Sequence, residues 1–345
     1  MRERTITSGR PAKQLMESDD TEASGERSVL VVHGRDFKPA EESLLDMATA
    51  ALRTGVQRDY PNSLASYDSL QKDIAYYGDL TNALLKGKGK HYDSTLDLGD
   101  RSNALIALKG IDARKRFGIR QYDCLPGKSA VPEFVADVFA PILGFCGLTL
   151  PLIATVSKDF REYLGGNSTY ASQVRARVRD KLCQHLDRGN RILLLTHGTG
   201  SVIAYDVLWQ LSHDERFTEQ YGSCKVDAWV TLGSPLGDFH VRKYLLGHGK
   251  RGKRSYPTNV ISWNNVSAED DYTCHDHTLA DDYSAMMTEH LVSAVTDYRI
   301  FNLAVRYGRS NPHSSVGYYI HPRVSKILCD WIQATQLDIS PKYIF

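Results

Sequence analysis

Residues 190–205 read NRILLLTHGTGSVIAY, and their organisation decides the fold. The apolar run from Ile192 to Leu195 has the length and composition of a buried strand. Thr196, Gly198, Thr199 and Gly200 then form a small-residue turn, and SVIAYDVLW (201–209) carries a helical pattern. A strand that runs through a tight turn straight into a helix lifts the apex residue clear of the sheet, where a side chain can act as a nucleophile. The apex here is Gly198, which has no side chain.

Working outward, the same alternation recurs. SVLVV (28–32) is a short buried-strand run, and Pro39 to Gly55 reads as an amphipathic helix with Leu44, Leu45, Ala48 and Leu52 on one face. DIAYYGDL (73–80) begins as a second strand, and YASQVRARVRDKLCQHL (170–186) is a helix with Val174, Val178 and Leu182 in phase. VDAWVTL (226–232), NVISW (259–263) and YRIFNLAV (298–305) read as further strands, and HPRVSKILCDWI (321–332) as a closing helix. Strands alternating with helices imply βαβ units, hence an α/β fold with a mostly parallel central sheet flanked by helices. Residues 1–27 are polar and aperiodic and read as a disordered tail. Residues 28–345 form the domain, with 84–168 interrupting the alternation as an inserted cap or lid.

Composition narrows the function classes. The chain has 345 residues, 42% of them hydrophobic, enough for one large core or two smaller ones. A formal charge of +1 gives no electrostatic case for nucleic acid, and the basic runs at 86–90 and 250–254 are short and Gly-spaced, as in solvated loops. Six dispersed cysteines without CxxC spacing fit reduced thiols, and MRERTITSGRPAKQ lacks the apolar core of a secretory signal, so the expected compartment is the cytoplasm. FVADVFAPILGFCGLTLPLIATV (134–156) is long enough to span a bilayer, but Asp137, Pro141, Gly144, Gly147 and Pro151 argue instead for a buried or lid-like helical pair with peripheral membrane contact.

In an α/β sheet, chemistry collects at the carboxyl ends of the strands. Four such ends carry suggestive residues. HGRDF (33–37) follows the first strand, and Gly34 permits a turn that aims backbone N–H groups at a developing oxyanion. The turn 196–200 is the second, and the Gly-Pro turn TLGSPLG (231–237) the third, its Ser234 a weak rival nucleophile. The fourth is WNN (263–265) through Asp270 and Asp271, with Asn311-Pro312-His313 further on. An acid and then a histidine thus follow the turn in the chain order nucleophile, acid, base.

Taken together, VVHGRDF, LLLTHGTGSVIAYDVLW, TLGSPLG, ISWNNVSAEDDYTCHD and NPHSSVGYYIHP resemble the lipase/esterase-like α/β-hydrolase superfamily across roughly residues 28–336. The resemblance implies a Ser–Asp–His triad, an oxyanion hole and hydrolysis of an ester, often a lipid. It puts the nucleophile slot at Gly198 and the first oxyanion donor at the Thr199 amide, with a second from Gly34 or Arg35. The acid is Asp271, with Asp270 and Asp276 as rivals; the base is His313, with His321 weaker. His33 and His197 would border the substrate.

Gly198 removes the oxygen that acyl-enzyme chemistry requires. Three expectations follow: a pseudoenzyme that keeps the pocket, acid and base and binds a ligand or partner; slow hydrolysis by water activated at His313; or a nucleophile shifted to Ser201 or Thr199. A serine removed deliberately from an active enzyme would leave the same letters. An apolar 134–156 segment over the site suits an acyl-ester or other apolar small molecule. Cys274-His275-Asp276-His277 has metal-ligand residue types, but no second Cys/His pair completes a tetrahedral set, so neither metal nor cofactor is expected.

Overall fold

The computed structural model describes residues 25–127, 157–165, 168–274 and 278–334. The first half of the chain supplies β1 (Arg27–Val32), α1 (Glu41–Asp59), β2 (Gln71–Ala75), α2 (Gly78–Gly87), α3 (Ser94–Lys109), α4 (Lys158–Leu164) and α5 (Thr169–Asp187). The second supplies β3 (Arg191–His197), α6 (Thr199–His213), β4 (Val226–Leu232), β5 (Val260–Ala268), β6 (Ala294–Ile300), α7 (Ser315–Tyr319) and α8 (Pro322–Gln333). The six strands form one sheet in the order β2-β1-β3-β4-β5-β6, and every neighbouring pair is parallel.

That order determines where a site can form. From β1 the chain moves outward to β2, then returns past β1 to lay down β3 on its other side and continues in that direction. The reversal leaves a crevice beyond the carboxyl ends of β1 and β3, the place where open α/β sheets bind ligands. Gly34 follows β1, and Gly198 follows β3.

The sheet is buried on both faces, which is why its central strands read as continuous apolar runs. Along β1, Leu30 and Val32 face a core shared with α5 and α6, through Val174, Val178, Ile203 and Val207. Val29 and Val31 face the opposite core, filled by Leu44, Ala48 and Leu52 of α1 and by Val324, Ile327 and Leu328 of α8. In the first core Trp229 and Trp263 stack with ring centroids 4.3 Å apart, and both are fully buried. Their indole N–H groups donate to Thr196 Oγ1 and Thr231 Oγ1, each at 3.1 Å. Trp229→Ala is therefore expected to cost about 3–5 kcal/mol of unfolding free energy, read from the urea midpoint, since it opens a cavity and breaks the stack.

Several boundaries differ from the sequence reading: the strand read at 259–263 runs on to Ala268, and the strand begun at 73 is Gln71–Ala75. The last strand is Ala294–Ile300 rather than 298–305. Leu303 and Ala304 belong to a loop that packs inside, with Phe301 partly buried and Asn302 fully enclosed. The first strand begins at Arg27, inside the span read as a tail. Within 84–168 the described residues are largely helical, and α3 forms one wall of the crevice through Asp97, Asp100, Arg101 and Ala104. The segment 134–156 lies outside the described residues; among them, no helix is long and apolar enough to cross a membrane.

Candidate active site

The turn after β3 passes through a positive-φ residue directly into a helix. Gly198 sits at φ 54° and ψ −126°, immediately before α6. Its N–H donates to Leu232 O at 2.8 Å, and its carbonyl accepts from Ser201 N at 3.1 Å. Positive φ is costly for any residue with a β-carbon and free for glycine. A β-carbon placed on Gly198 would lie 3.0 Å from His313 Nε2 and 3.1 Å from its Cε1. The slot thus faces the imidazole directly. Ser201 does not share it: its hydroxyl is fully buried and bonds Thr196 Oγ1 at 2.9 Å. The Thr199 side chain hydrogen-bonds Tyr77.

Asp271 receives the other side of the imidazole. His313 Nδ1 lies 2.9 Å from Asp271 Oδ2, which also accepts from the Tyr318 hydroxyl at 2.8 Å; Oδ1 accepts from Thr273 N at 3.0 Å. Burial pushes the Asp271 carboxyl up, but the neighbouring His313 charge and these hydrogen bonds outweigh it and hold the pKa at about 2. In the neutral ring, the ionised carboxylate favours the proton on Nδ1, which turns the Nε2 lone pair toward the slot. Gly233, at the end of β4, makes room for this acid: a β-carbon there would fall 2.6 Å from Asp271 Oδ2. The turn TLGSP is thereby tied to the site, while Ser234 caps the turn after it through Leu236 N.

The other sequence candidates go elsewhere. Asp270 bonds the Tyr122 hydroxyl at 2.8 Å. His321 caps α8 by accepting from Arg323 N, and burial together with Arg58 and Arg323 pushes its pKa down to about 3. Asp276, His275 and His277 lie outside the described residues, and Cys274 is buried with its sulfur 3.8 Å from the Tyr318 hydroxyl. No group of three or more His, Cys, Asp or Glu side chains among the described residues could hold a metal ion.

The depressed Asp271 pKa has a stability consequence. Its contribution is complete above the ordinary value of 3.8 and is lost as pH falls through that value toward about 2. On the order of 2 kcal/mol should disappear across that window. Acid titrations of the unmodified chain and of Asp271→Asn check this, because the variant should lack that step.

His313 rides on a loop whose backbone is held at three successive carbonyls. Asn302 Nδ2 donates to Pro312 O at 2.8 Å and to Ser314 O at 2.9 Å. His197 Nε2 donates to the carbonyl of His313 itself at 3.1 Å. Burial, then the nearby His313 charge, pushes the His197 pKa well below its usual range, so the ring is neutral.

The loop after β1 is held as firmly. His33 accepts from Tyr77 N at Nε2 and donates from Nδ1 to Gly34 O at 2.9 Å. Burial lowers its pKa to about 3, with Lys38 adding to the effect, which keeps it neutral. A trans peptide points its C=O and N–H in opposite directions, so fixing the Gly34 carbonyl also fixes the Arg35 N–H. Lys38 Nζ bonds the carbonyls of Arg35, Asp36 and Phe37, and Asp36 N donates to Asp159 Oδ2 at 2.9 Å. Gly34 packs against His197, which brings this loop against the turn after β3. The Thr199 amide, in the first turn of α6, has no partner within its own helix. His33 and His197, read from the sequence as substrate contacts, do border the crevice, yet these ring nitrogens serve the backbone.

Asn302, Tyr318, Lys38 and Tyr77 were not singled out by sequence reasoning. Tyr318 stood within NPHSSVGYYIHP without a role, and Asn302 was absorbed into an apolar run. The crevice itself holds about 760 Å³ and is bordered by Arg35, Lys38, Arg101, Arg306, His197 and His313, among others. Compared with known protein families, with curated proteins and with solved structures, the chain matches none.

Proposed function

We propose that the chain is an α/β-hydrolase-fold relative of lipases and esterases that binds an ester-like small molecule and has no nucleophile of its own. The 3.0 Å separation between the β-carbon position of residue 198 and His313 Nε2 carries this reading. A base, an ionised acid behind it and backbone donors on two facing loops are the parts that acyl transfer uses. Only the attacking oxygen is missing. Without it, His313 can at most activate water, and triad knockouts of this kind retain roughly 10³–10⁴-fold acceleration over water.

A nucleophile shifted to Ser201 finds no support, because that hydroxyl faces Thr196 inside the fold. The described crevice wall mixes charged side chains with apolar ones such as Phe37, Leu44, Leu96 and Val305, so it suits an ester with both polar and apolar parts. The cysteines described, all free, fit a reducing compartment. The test is a fluorophosphonate probe together with p-nitrophenyl butyrate. The unmodified chain should stay unlabelled and turn the ester over slowly or not at all. Labelling of the unmodified chain would show a nucleophile that this reading lacks.

A further inference from the structure

We propose that Lys38 is a positioning residue: by binding the carbonyls of Arg35, Asp36 and Phe37, its ammonium holds the loop after β1 in a shape that keeps backbone N–H groups free beside the Gly198 turn. For catalysis this rests on the proposed function, which makes those N–H groups oxyanion donors.

The loop doubles back on its own lysine. Lys38 Nζ donates to Arg35 O, to Asp36 O at 3.1 Å and to Phe37 O at 3.3 Å. The side chain is buried, and no carboxylate among the described residues forms an ion pair with it. A buried ammonium is costly unless its donors are satisfied, and three carbonyls use all three N–H bonds. The Lys38 backbone is clamped as well. Asn82 of α2 accepts from Lys38 N at 3.0 Å and donates to Lys38 O at 2.8 Å.

The turn needs holding because Asp36 lies at φ 67°, in the left-handed region. A residue with a β-carbon stays there only where its surroundings fix it. Asp36 N donates to Asp159 Oδ2 on one side, while the carbonyls of 35–37 meet Lys38 on the other. Peptide planarity then disposes of the remaining donors, since each bonded carbonyl turns the next residue's N–H the opposite way. His33 O accepts from Tyr77 Oη, Gly34 O from His33 Nδ1 and Asp36 O from Lys38. The Gly34, Arg35 and Phe37 N–H groups that follow these carbonyls meet no acceptor among the described residues, and all three residues border the crevice.

Burial, with Arg101 next, lowers the Lys38 pKa to about 8, and Asp36, Asp159 and Asp97 oppose that shift. The neighbouring His33 and His197 are neutral. The ammonium is therefore charged at neutral pH and is lost as pH rises through about 8. A neutral amine has two N–H bonds for three carbonyls, so the loop should loosen there.

Amide exchange followed by NMR, corrected for the intrinsic rate, tests the pin without any turnover. Protection of the Asp36 amide in the unmodified chain should fall at least about tenfold between about pH 7 and about pH 9.5, while β3 stays protected. In Lys38→Met it should be low and independent of pH. Should that variant fail to fold, Lys38→Gln, which cannot lose a charge, must still remove the pH dependence. Protection at Asp36 that is untouched by these substitutions, or flat with pH in the unmodified chain, would overturn the proposal. In the Gly198→Ser background, Lys38→Met should lower kcat for p-nitrophenyl butyrate by roughly ten- to a hundredfold with little change in KM. It should also abolish an alkaline limb near pH 8, which a residue that only fills space would not supply. No turnover in Gly198→Ser, with Asp36 exchange as stated, removes the hydrolase reading and leaves the pin standing. Turnover indifferent to Lys38 in both kcat and pH profile does the reverse.

Discussion

Gly198→Ser is expected to raise kcat/KM for p-nitrophenyl butyrate by about 10³-fold or more and to make the protein label with fluorophosphonate. Removing the serine from an intact triad costs on the order of 10⁶ in kcat, so a serine restored to the correct position should recover a large share of that. The position is correct in direction, because the β-carbon at residue 198 points at His313 Nε2. Recovery should be incomplete, since a 3.0 Å approach requires the ring to give by a few tenths of an ångström. The substitution should also cost about 1–2 kcal/mol of stability, the penalty for a β-carbon at positive φ. Gly198→Ala provides the control, carrying the same strain without the oxygen. Turnover in Gly198→Ser no faster than in Gly198→Ala would end the hydrolase reading.

In that serine background, Asp271→Asn should lower kcat by about 10⁴-fold with little change in KM. The carboxylate now accepts from His313 Nδ1 and from the Tyr318 hydroxyl through one oxygen. A carboxamide that turns its NH₂ toward His313 makes Nδ1 the acceptor and moves the ring proton to Nε2, where no serine proton can be taken up. Tyr318→Phe removes only one neutral donor from the acid and should cost about tenfold. Equal losses from the two substitutions would mean that Asp271 serves the packing of this corner rather than the tautomer of His313. The pH dependence of kcat/KM decides between these, because only loss of the acid should displace its acidic limb.

The central strands and the strand-turn-helix at 191–213 were legible because each strand is a continuous apolar run ending in small residues, a pattern imposed by burial on both faces of a parallel sheet. The edge strand β6 was not. Its residues AVTDYRI alternate weakly, whereas the neighbouring FNLA run is apolar for a different reason, as a buried loop. His313 and Asp271 could be named from chain order, and they do meet. Asp270 could be set apart only by its bond to Tyr122, 148 positions away in the chain. The roles of Asn302 and Tyr318 likewise depend on contacts at turns brought together by the fold, which no local spacing encodes. The charge on the crevice wall was hidden for the same reason, since Arg35, Arg101 and Arg306 come from three separate stretches.

Three carbonyls held in a row by Asn302 and His197 have a kinetic meaning for any ligand that enters. The loop carrying the imidazole is ordered when the chain folds, so ligand capture spends nothing on arranging it. Association at this end of the crevice should be a single-step encounter rather than a slow closure. Amide exchange at His313 and Ser314 should be no slower with a ligand bound than without one.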